Sequence, residues 1–433
     1  MKPHKESPTF CSIPFVSIVV NTDGAIRPCC LIKGQYHQLK KPDGTKYTVK
    51  DNLSDAWNSD EMRKMRLAMI NGDKLEGCNV CYLQETSGRT SNREYANSEW
   101  FYKVGEQKIE QLVDQAILNA GEIDYSIAYL DLRLGNLCNL KCRMCSPFNS
   151  SQIAKEHLDL EQRDPAYKVV WASTFGKFNP KFNDMQEWFD NDILWDQVID
   201  MIPNLKKVYM TGGEPTLIEN NFKFMQACID KGRKDIVLFF NTNCTNVNKK
   251  FTNLISQFDR VNINASIDGV NEVNDYIRAP SKWSQISRNV ETLAQMPNVV
   301  LGVTPTVQTY NVFNLIDTLN WVDSLNKKYN KNIFVDFLIN VHPKHLAVGI
   351  LPDNIRQQVA SELLEYKANN FNRATPELTV NSTNGIIGLL QQDRAADWQL
   401  QLGKFKTYTH SLDVERSQSL RSISIKLADL INE

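Results

Sequence analysis

Three cysteines stand close together in Cys138-x-x-x-Cys142-x-x-Cys145, between a short apolar run and a helical stretch. Thiolates at that spacing, on a loop entering a helix, can converge on three corners of a 4Fe-4S cube and leave the fourth iron open to a small chelating ligand. Zinc is the competing chemistry. A structural zinc ion usually takes four protein ligands, however, and no histidine or further cysteine lies close by. Five more cysteines, Cys11, Cys29, Cys30, Cys78 and Cys81, gather near the N-terminus. Four thiolates drawn from them, with Cys29 or Cys30 at one corner, suit a second site in which iron–sulfur and zinc both remain open. Cys228 and Cys244 stand apart and read as buried, inert thiols.

The elements around these residues must hold them in place. Short apolar runs at residues 128–134, 207–210, 236–240, 261–267, 299–307 and 333–339 alternate with helical stretches such as 220–231, 281–295 and 314–328. Strand, crossover and strand repeated in this way predict an α/β fold, a partial (β/α)6 TIM-like barrel whose active site forms at the carboxyl ends of the strands. Cys138 follows the first of these strands. Ahead of them, residues 13–20 and 25–28 flank the turn Asn21-Thr22-Asp23-Gly24 and predict a hairpin that brings Cys11 back toward Cys29 and Cys30. A helix capped at Ser54 or Asp60 and stopped by Asn71-Gly72 follows, and then the knuckle Cys78-x-x-Cys81. The division expected is a cysteine-rich hairpin and helix domain over 1–100, a polar helical connector over 101–125, the barrel over 126–345 and a C-terminal helical tail over 346–433. Trp171, Trp188 and Trp195, in a segment longer than one crossover needs, read as anchors of an insertion or as the lining of a groove. His342 and His345 follow the sixth strand, near the expected barrel mouth.

Composition narrows the classes. The chain of 433 residues is 42% apolar and 23% charged, and its 49 Lys and Arg against 50 Asp and Glu leave a net −1. No large positive field is available for bulk nucleic-acid binding, and no apolar run is long enough to span a membrane. With no secretion signal read at the N-terminus, a cytoplasmic location is expected, where clustered cysteines bind metal or do chemistry more often than they form disulfides.

Residues 133–145, Arg-Leu-Gly-Asn-Leu-Cys-Asn-Leu-Lys-Cys-Arg-Met-Cys, resemble the signature of the radical S-adenosylmethionine (SAM) enzymes. Further matches follow in order. Gly212-Gly213-Glu214-Pro215 resembles the family's GGEP motif, and Asn241-Thr242-Asn243 its Thr-Asn-Gly signal. Ser266-Ile267-Asp268-Gly269 with Arg278 resembles its Ser-Leu-Asp-Gly segment and following arginine. Cys244 departs from that pattern, standing where the family usually has glycine. The N-terminal cysteines, their turn and Ser54-Asp55-Ala56-Trp57 resemble the SPASM and twitch extensions, which bind auxiliary iron–sulfur clusters, although here the extension precedes the barrel.

The resemblance implies reductive cleavage of SAM to methionine and a 5′-deoxyadenosyl radical that takes hydrogen from a substrate carbon. It implies that Cys138, Cys142 and Cys145 hold a 4Fe-4S cluster and that Met144, Gly212, Gly213, Glu214, Pro215, Asn241, Ser266, Asp268 and Arg278 position SAM. It further implies an auxiliary cluster at the N-terminal group and an external one-electron donor such as flavodoxin or ferredoxin. The substrate class it favours is a peptide or protein side chain. A sugar or nucleoside-like small molecule is the alternative, as is a metal-binding scaffold without turnover. The physics agrees with the motif positions: Gly212 and Gly213 let backbone approach a ligand, and Glu214, Asp268 and Arg278 offer partners to an ammonium, a ribose and a carboxylate.

Overall fold

The computed structural model describes residues 7–34, 37–86, 90–176, 189 and 191–432; Trp188 lies outside the described residues. Contacts divide the chain into two compact units, one of Met1–Asn136, Asp184–Phe239 and Gln257–Arg260, the other of Leu137–Asn183, Phe240–Ser256 and Val261–Glu433. The strands are β1 (Ser17–Val20), β2 (Ile26–Arg27), β3 (Tyr129–Leu134), β4 (Lys207–Gly212), β5 (Val237–Thr242), β6 (Val261–Ala265), β7 (Val299–Val303), β8 (Thr306–Val307), β9 (Phe334–Val335) and β10 (Leu338–Ile339). They form a sheet in the order β2-β1-β3-β4-β5-β6-β7-β9, with β10 and β8 as a separate pair. Among the registers described, only β1 with β2 is antiparallel.

The expected α/β architecture is therefore present, with three differences. The hairpin is not a satellite: β1 pairs in parallel with β3, Ser17 opposite Tyr129 through Val20 opposite Leu132, so the cysteine module extends the sheet itself. The apolar run before the turn is only half strand, because Ile13–Val16 is a helical turn with Pro14 in its first positions, where a missing N–H costs nothing. The last two strands are interrupted. Pro305 has no N–H to continue the ladder after β7, and its carbonyl instead accepts from Leu338 at 2.9 Å.

In the first unit, the helices Leu53–Trp57 and Asp60–Asn71 start after Asn52 and Ser59. The second ends at Gly72, whose φ of 85° terminates it in the left-handed conformation. The expected connector, Glu106–Leu118, is amphipathic and buries Ile109, Leu112, Val113 and Ala116. Arg66, fully buried, ties these pieces together without a carboxylate. Its guanidinium donates to Pro14 O at 2.8 Å, Trp57 O at 2.8 Å, Gly121 O at 3.0 Å and Asn58 Oδ1 at 2.9 Å, and burial lowers its pKa to about 9, still charged at neutral pH. In the second unit the tail is helical over Asp353–Asn370, Glu377–Leu390 and Trp398–Arg416, whereas 419–431 is a 3-10 turn plus the short helix Ile425–Leu430. Among the described residues, no helix is long and apolar enough to cross a membrane.

Arg66→Met removes the donor from three buried carbonyls at once, those of Pro14, Trp57 and Gly121. A loss of roughly 3 kcal/mol or more is expected, read as a lowered denaturation midpoint.

Candidate functional site

None of the ten cysteines is in a disulfide, including the eight in the two groups. In the second unit the loop carrying Cys138, Cys142 and Cys145 lies between β3 and the helix Ser151–Arg163. Burial pushes the Cys145 thiol well up, and the charges of Cys142 and Cys138 would push it further. Arg278 Nη1 reaches Cys142 Sγ at 3.7 Å, and Arg278 Nε stands 2.7 Å from Asp268 Oδ2. That ion pair is misaligned: both atoms are buried and neither has a directed hydrogen bond. Asp268 Oδ1 is engaged, accepting from Thr306 N at 2.8 Å. The structure thus places Asp268 and Arg278 on each other, beside Cys142.

The loop is braced from far along the sequence. Arg143, between Cys142 and Cys145, has no exposure and forms an ion pair with Asp413 on the helix Trp398–Arg416. It also donates to Gln418 Oε1 at 3.0 Å and Tyr276 O at 3.1 Å, and lies 3.7 Å above the Tyr276 ring. The Tyr408 hydroxyl donates to Arg143 O at 2.6 Å. Asp413 in turn accepts from Tyr276 Oη at 3.1 Å and Leu420 N at 2.9 Å. Just before Cys142, Lys141 pairs with Glu156 at 2.7 Å, and Arg416 grips the same carboxylate at 3.0 and 2.6 Å. Sequence reading missed Arg143, Glu156, Asp413 and Arg416, since nothing local marks partners more than 250 residues apart.

Other expected residues fall as follows. Ser266 follows β6 and donates its N–H to Thr242 O at 2.8 Å, and Asn241 lies in β5. Met144 is half-buried within the cysteine loop. Cys244 is buried with φ 57°, the conformation in which glycine is unstrained, which gives the glycine position of the family pattern its physical reason. His345 is buried against the Tyr408 ring at 4.7 Å, and burial pushes its pKa down to about 3. It is therefore neutral at pH 7 and unsuited to proton donation there. Trp171 is a buried anchor stacked on His157 at 3.7 Å, the anchoring alternative of the two expected for it.

Gly212, Gly213, Glu214 and Pro215 belong to the first unit. Gly212 has φ 120°, and a Cβ there meets Leu134 N at 2.8 Å and Gly135 O at 3.0 Å, so the missing side chain makes room for the protein's own backbone. Glu214 is buried and its Oε1 accepts from Thr216 N at 3.2 Å and Thr216 Oγ1 at 2.6 Å, capping the turn Pro215–Leu217.

In the same unit Cys11, Cys29, Cys78 and Cys81 line one small apolar cavity with Met65 and Met69. Burial, with Cys78 and Cys81 nearby, raises the Cys11 thiol to about 12; burial and Cys81 raise Cys78 to about 11. Cys30 faces a separate cavity that Cys29 also lines. Among the described residues, no three His, Cys, Asp or Glu side chains stand together closely enough to hold a metal ion. Two such thiol groups, one beside a misaligned buried Asp–Arg pair, are chemically compatible with two iron–sulfur clusters and a polar ligand next to one of them.

Residues 132–322 match the model of the radical SAM superfamily, and residues 11–82 match that of an iron–sulfur cluster-binding domain, SPASM. The protein thus carries a radical SAM domain over residues 132–322 and a SPASM domain over residues 11–82. Its cofactors are accordingly a 4Fe-4S cluster with SAM and auxiliary iron–sulfur in the N-terminal domain. Among solved structures, SuiB of Streptococcus suis bound to S-adenosylmethionine is 13% identical with a TM-score of 0.37, covering 72% of this chain and 64% of that one. SuiB bound to the precursor peptide SuiA is 11% identical, with a TM-score of 0.36 over the same shares. TYW1 with a lysine–pyruvate adduct is 16% identical, with a TM-score of 0.30, over 55% of this chain and 73% of that one. The protein thus spans 64% of the length of the SuiB structure. No curated protein matches it.

Asp413→Asn uncouples Arg143. Its expected result, from the ~3–5 kcal/mol cost of breaking a buried pair, is preferential loss of iron from the Cys138 loop on anaerobic dilution, while the N-terminal cluster spectrum persists. A second expectation concerns pH. His345 titrates near 3 when folded and about 6.5 when unfolded, so the unfolded protein takes up the proton first as pH falls. Stability therefore drops below pH 6.5, by up to about 1.4 kcal/mol per pH unit, and His345→Gln should flatten that slope in thermal melts.

Proposed function

We propose that this enzyme cleaves SAM reductively and uses the resulting radical to modify a peptide or protein side chain. The observation that carries the reading is the grouping of Cys138, Cys142 and Cys145, with Arg278 in contact with Cys142 and paired to Asp268. Three thiolates leave one iron of the cube for SAM, and the bound cluster supplies the electron that opens the sulfonium bond. Within that scheme the three cysteines hold the cluster, and Arg278 stays cationic beside them, set for the SAM carboxylate. Asp268 orients Arg278 and is available to a ribose hydroxyl. Met144, Asn241 and Ser266, in the same unit, are the further residues proposed for the nucleotide site. Arg143 and Lys141 hold the loop in shape from behind, through Asp413 and Glu156.

At the N-terminal module, Cys11, Cys29, Cys78 and Cys81 are the preferred ligand set, because those four share a cavity and Cys30 does not line it. Four protein ligands suit electron transfer or pocket shaping. The presence of this module is what favours a peptide or protein substrate over a sugar or nucleoside.

Anaerobic reconstitution should yield about eight irons per molecule, as two four-iron clusters require. With dithionite and SAM the protein should form 5′-deoxyadenosine. Cys142→Ala should abolish that product and lose about half the iron. Retained cleavage in the variant, or zinc in place of iron, overturns the assignment. A peptide fraction that fails to raise deoxyadenosine above the uncoupled level, where a small-molecule fraction succeeds, overturns the substrate class.

A further inference from the structure

In the first unit, a cavity of about 250 Å3 opens over one face of the sheet and shares Ile13, Cys29 and Asn92 with the cavity of the N-terminal cysteines. Register sets its floor and places Arg27, which does not line it, at the end of the same row. Arg27 on β2 stands opposite Val19 on β1, Val19 opposite Asp131 on β3, and Asp131 opposite Tyr209 on β4. A second row runs Ser17, Tyr129, Lys207. Directly opposite residues in a sheet share a face, so these residues are neighbours by construction.

The charges in and beside this cavity do not cancel. Asp131, with no exposure, is gripped by Arg133 through Nε to Oδ1 and Nη2 to Oδ2, both at 3.1 Å. Lys207 Nζ lies 2.9 Å from both carboxylate oxygens of Glu99. Each pair is neutral. Arg27 remains: its guanidinium makes no hydrogen bond or ion pair with any described residue, and its Nε is buried without a partner. It stands two strand spacings, about 10 Å, from Asp131, a distance comparable to the screening length in 0.1 M salt. The ion pair also uses only two of the five N–H donors of Arg133, whose side group keeps 28% of its exposure. Asp23, whose charge also acts on Arg27, is itself paired with Lys46 at 3.1 Å, so one positive charge beside the cavity is in surplus. The open guanidinium donors that face the cavity are those of Arg133, and together they select an anion.

The remaining wall is aromatic. Trp100 stacks on Tyr129 at 5.3 Å, and Tyr209 meets Phe239 at 5.0 Å. The volume lies below the ~300 Å3 at which small-molecule sites begin, so it suits one group the size of a single residue rather than a whole ligand.

We propose that this cavity binds a carboxylate of the substrate, held by the outer edge of Arg133 with Arg27 behind it, the substrate's carbon skeleton lying against Trp100, Tyr129 and Phe239. Arg133 and Arg27 are thereby specificity-determining residues, and the proposal rests on the reading of the protein as a radical SAM enzyme with a peptide substrate. Two sources share this chemistry, an acidic residue within the peptide and the free carboxylate at its C-terminus.

The test is anaerobic titration calorimetry on the reconstituted full-length protein with matched probes. N-acetylglutamate α-amide carries only the γ-carboxylate of an acidic residue and N-acetylphenylalanine only a terminal one; N-acetylglutamine amide and N-acetylphenylalaninamide are their uncharged counterparts. At least one acid should bind tenfold or more tighter than its neutral counterpart, and which acid does so identifies the source. Arg133→Gln should erase that preference and Arg133→Lys retain part of it. Arg27→Gln, which leaves the Asp131–Arg133 pair in place, should weaken the acid about threefold or more and leave the amide unchanged. Acids that bind no better than amides, or a preference that survives both Arg133→Gln and Arg27→Gln, overturn the proposal. Deoxyadenosine formation by the unsubstituted protein is measured on the same preparation. Absent acid preference with cleavage intact sinks the carboxylate site alone, whereas absent cleavage with the preference intact sinks the radical reading alone.

Discussion

A guanidinium removed wholly from water is the constraint on which the cluster loop depends. Arg143 carries its charge between two of the three cysteines in the sequence, and a charge so buried is tolerable only if it is paired. The pairing comes from Asp413, 270 positions later in the sequence. Tyr408 and Gln418 add hydrogen bonds, and Tyr276 offers both its ring face and its carbonyl. The loop's conformation is thus conditional on the tail being folded. The C-terminal helices, which read in the sequence as a generic appendage, in this sense hold the cysteine loop in shape.

A second constraint acts on the sheet. Parallel strands covered on both faces are normally apolar throughout. β3 reads Tyr-Leu-Asp-Leu-Arg-Leu, with Leu130, Leu132 and Leu134 fully buried and the alternate positions carrying charge or hydroxyl. β4 repeats the pattern with Lys207, Tyr209 and Thr211 around buried Val208 and Met210. A strand that keeps ionisable groups on one face must satisfy them there, and the Asp131–Arg133 and Lys207–Glu99 pairs do so. The apolar row packs the protein, and the polar row lines a cavity beside the N-terminal cysteines. Adding β1 and β2 to the edge of β3 brings Arg27 into that polar row, so the cysteine module supplies charge as well as thiols.

Backbone strain marks where this protein departs from its family's pattern. Cys244 occupies a left-handed position at a cost of about 1 kcal/mol relative to glycine. Its N–H donates to Thr242 Oγ1 at 3.1 Å, and its carbonyl accepts from Asn289 at 2.8 Å, contacts that hold the conformation in place. At Gly212 the opposite holds, since the neighbouring strand's backbone leaves no space for any substituent.

Local spacing made the chemistry legible. The cysteine triplet, the strand and helix alternation, the Gly-Gly-Glu-Pro motif and the knuckle at Cys78 and Cys81 are short-range patterns, and short-range patterns survive in a linear string. The alternation of Asp131 and Arg133 with leucines was equally visible, yet its meaning needed the knowledge that β3 is covered on its leucine face. Four facts were settled only by folding: which of Cys29 and Cys30 shares the cavity of Cys11, that the N-terminal hairpin joins the main sheet, that His345 is buried and neutral, and that Asp413 answers Arg143. Each turns on which distant residues meet, and a one-dimensional pattern carries no information about contacts that only cross-strand register and the packing of a remote helix create.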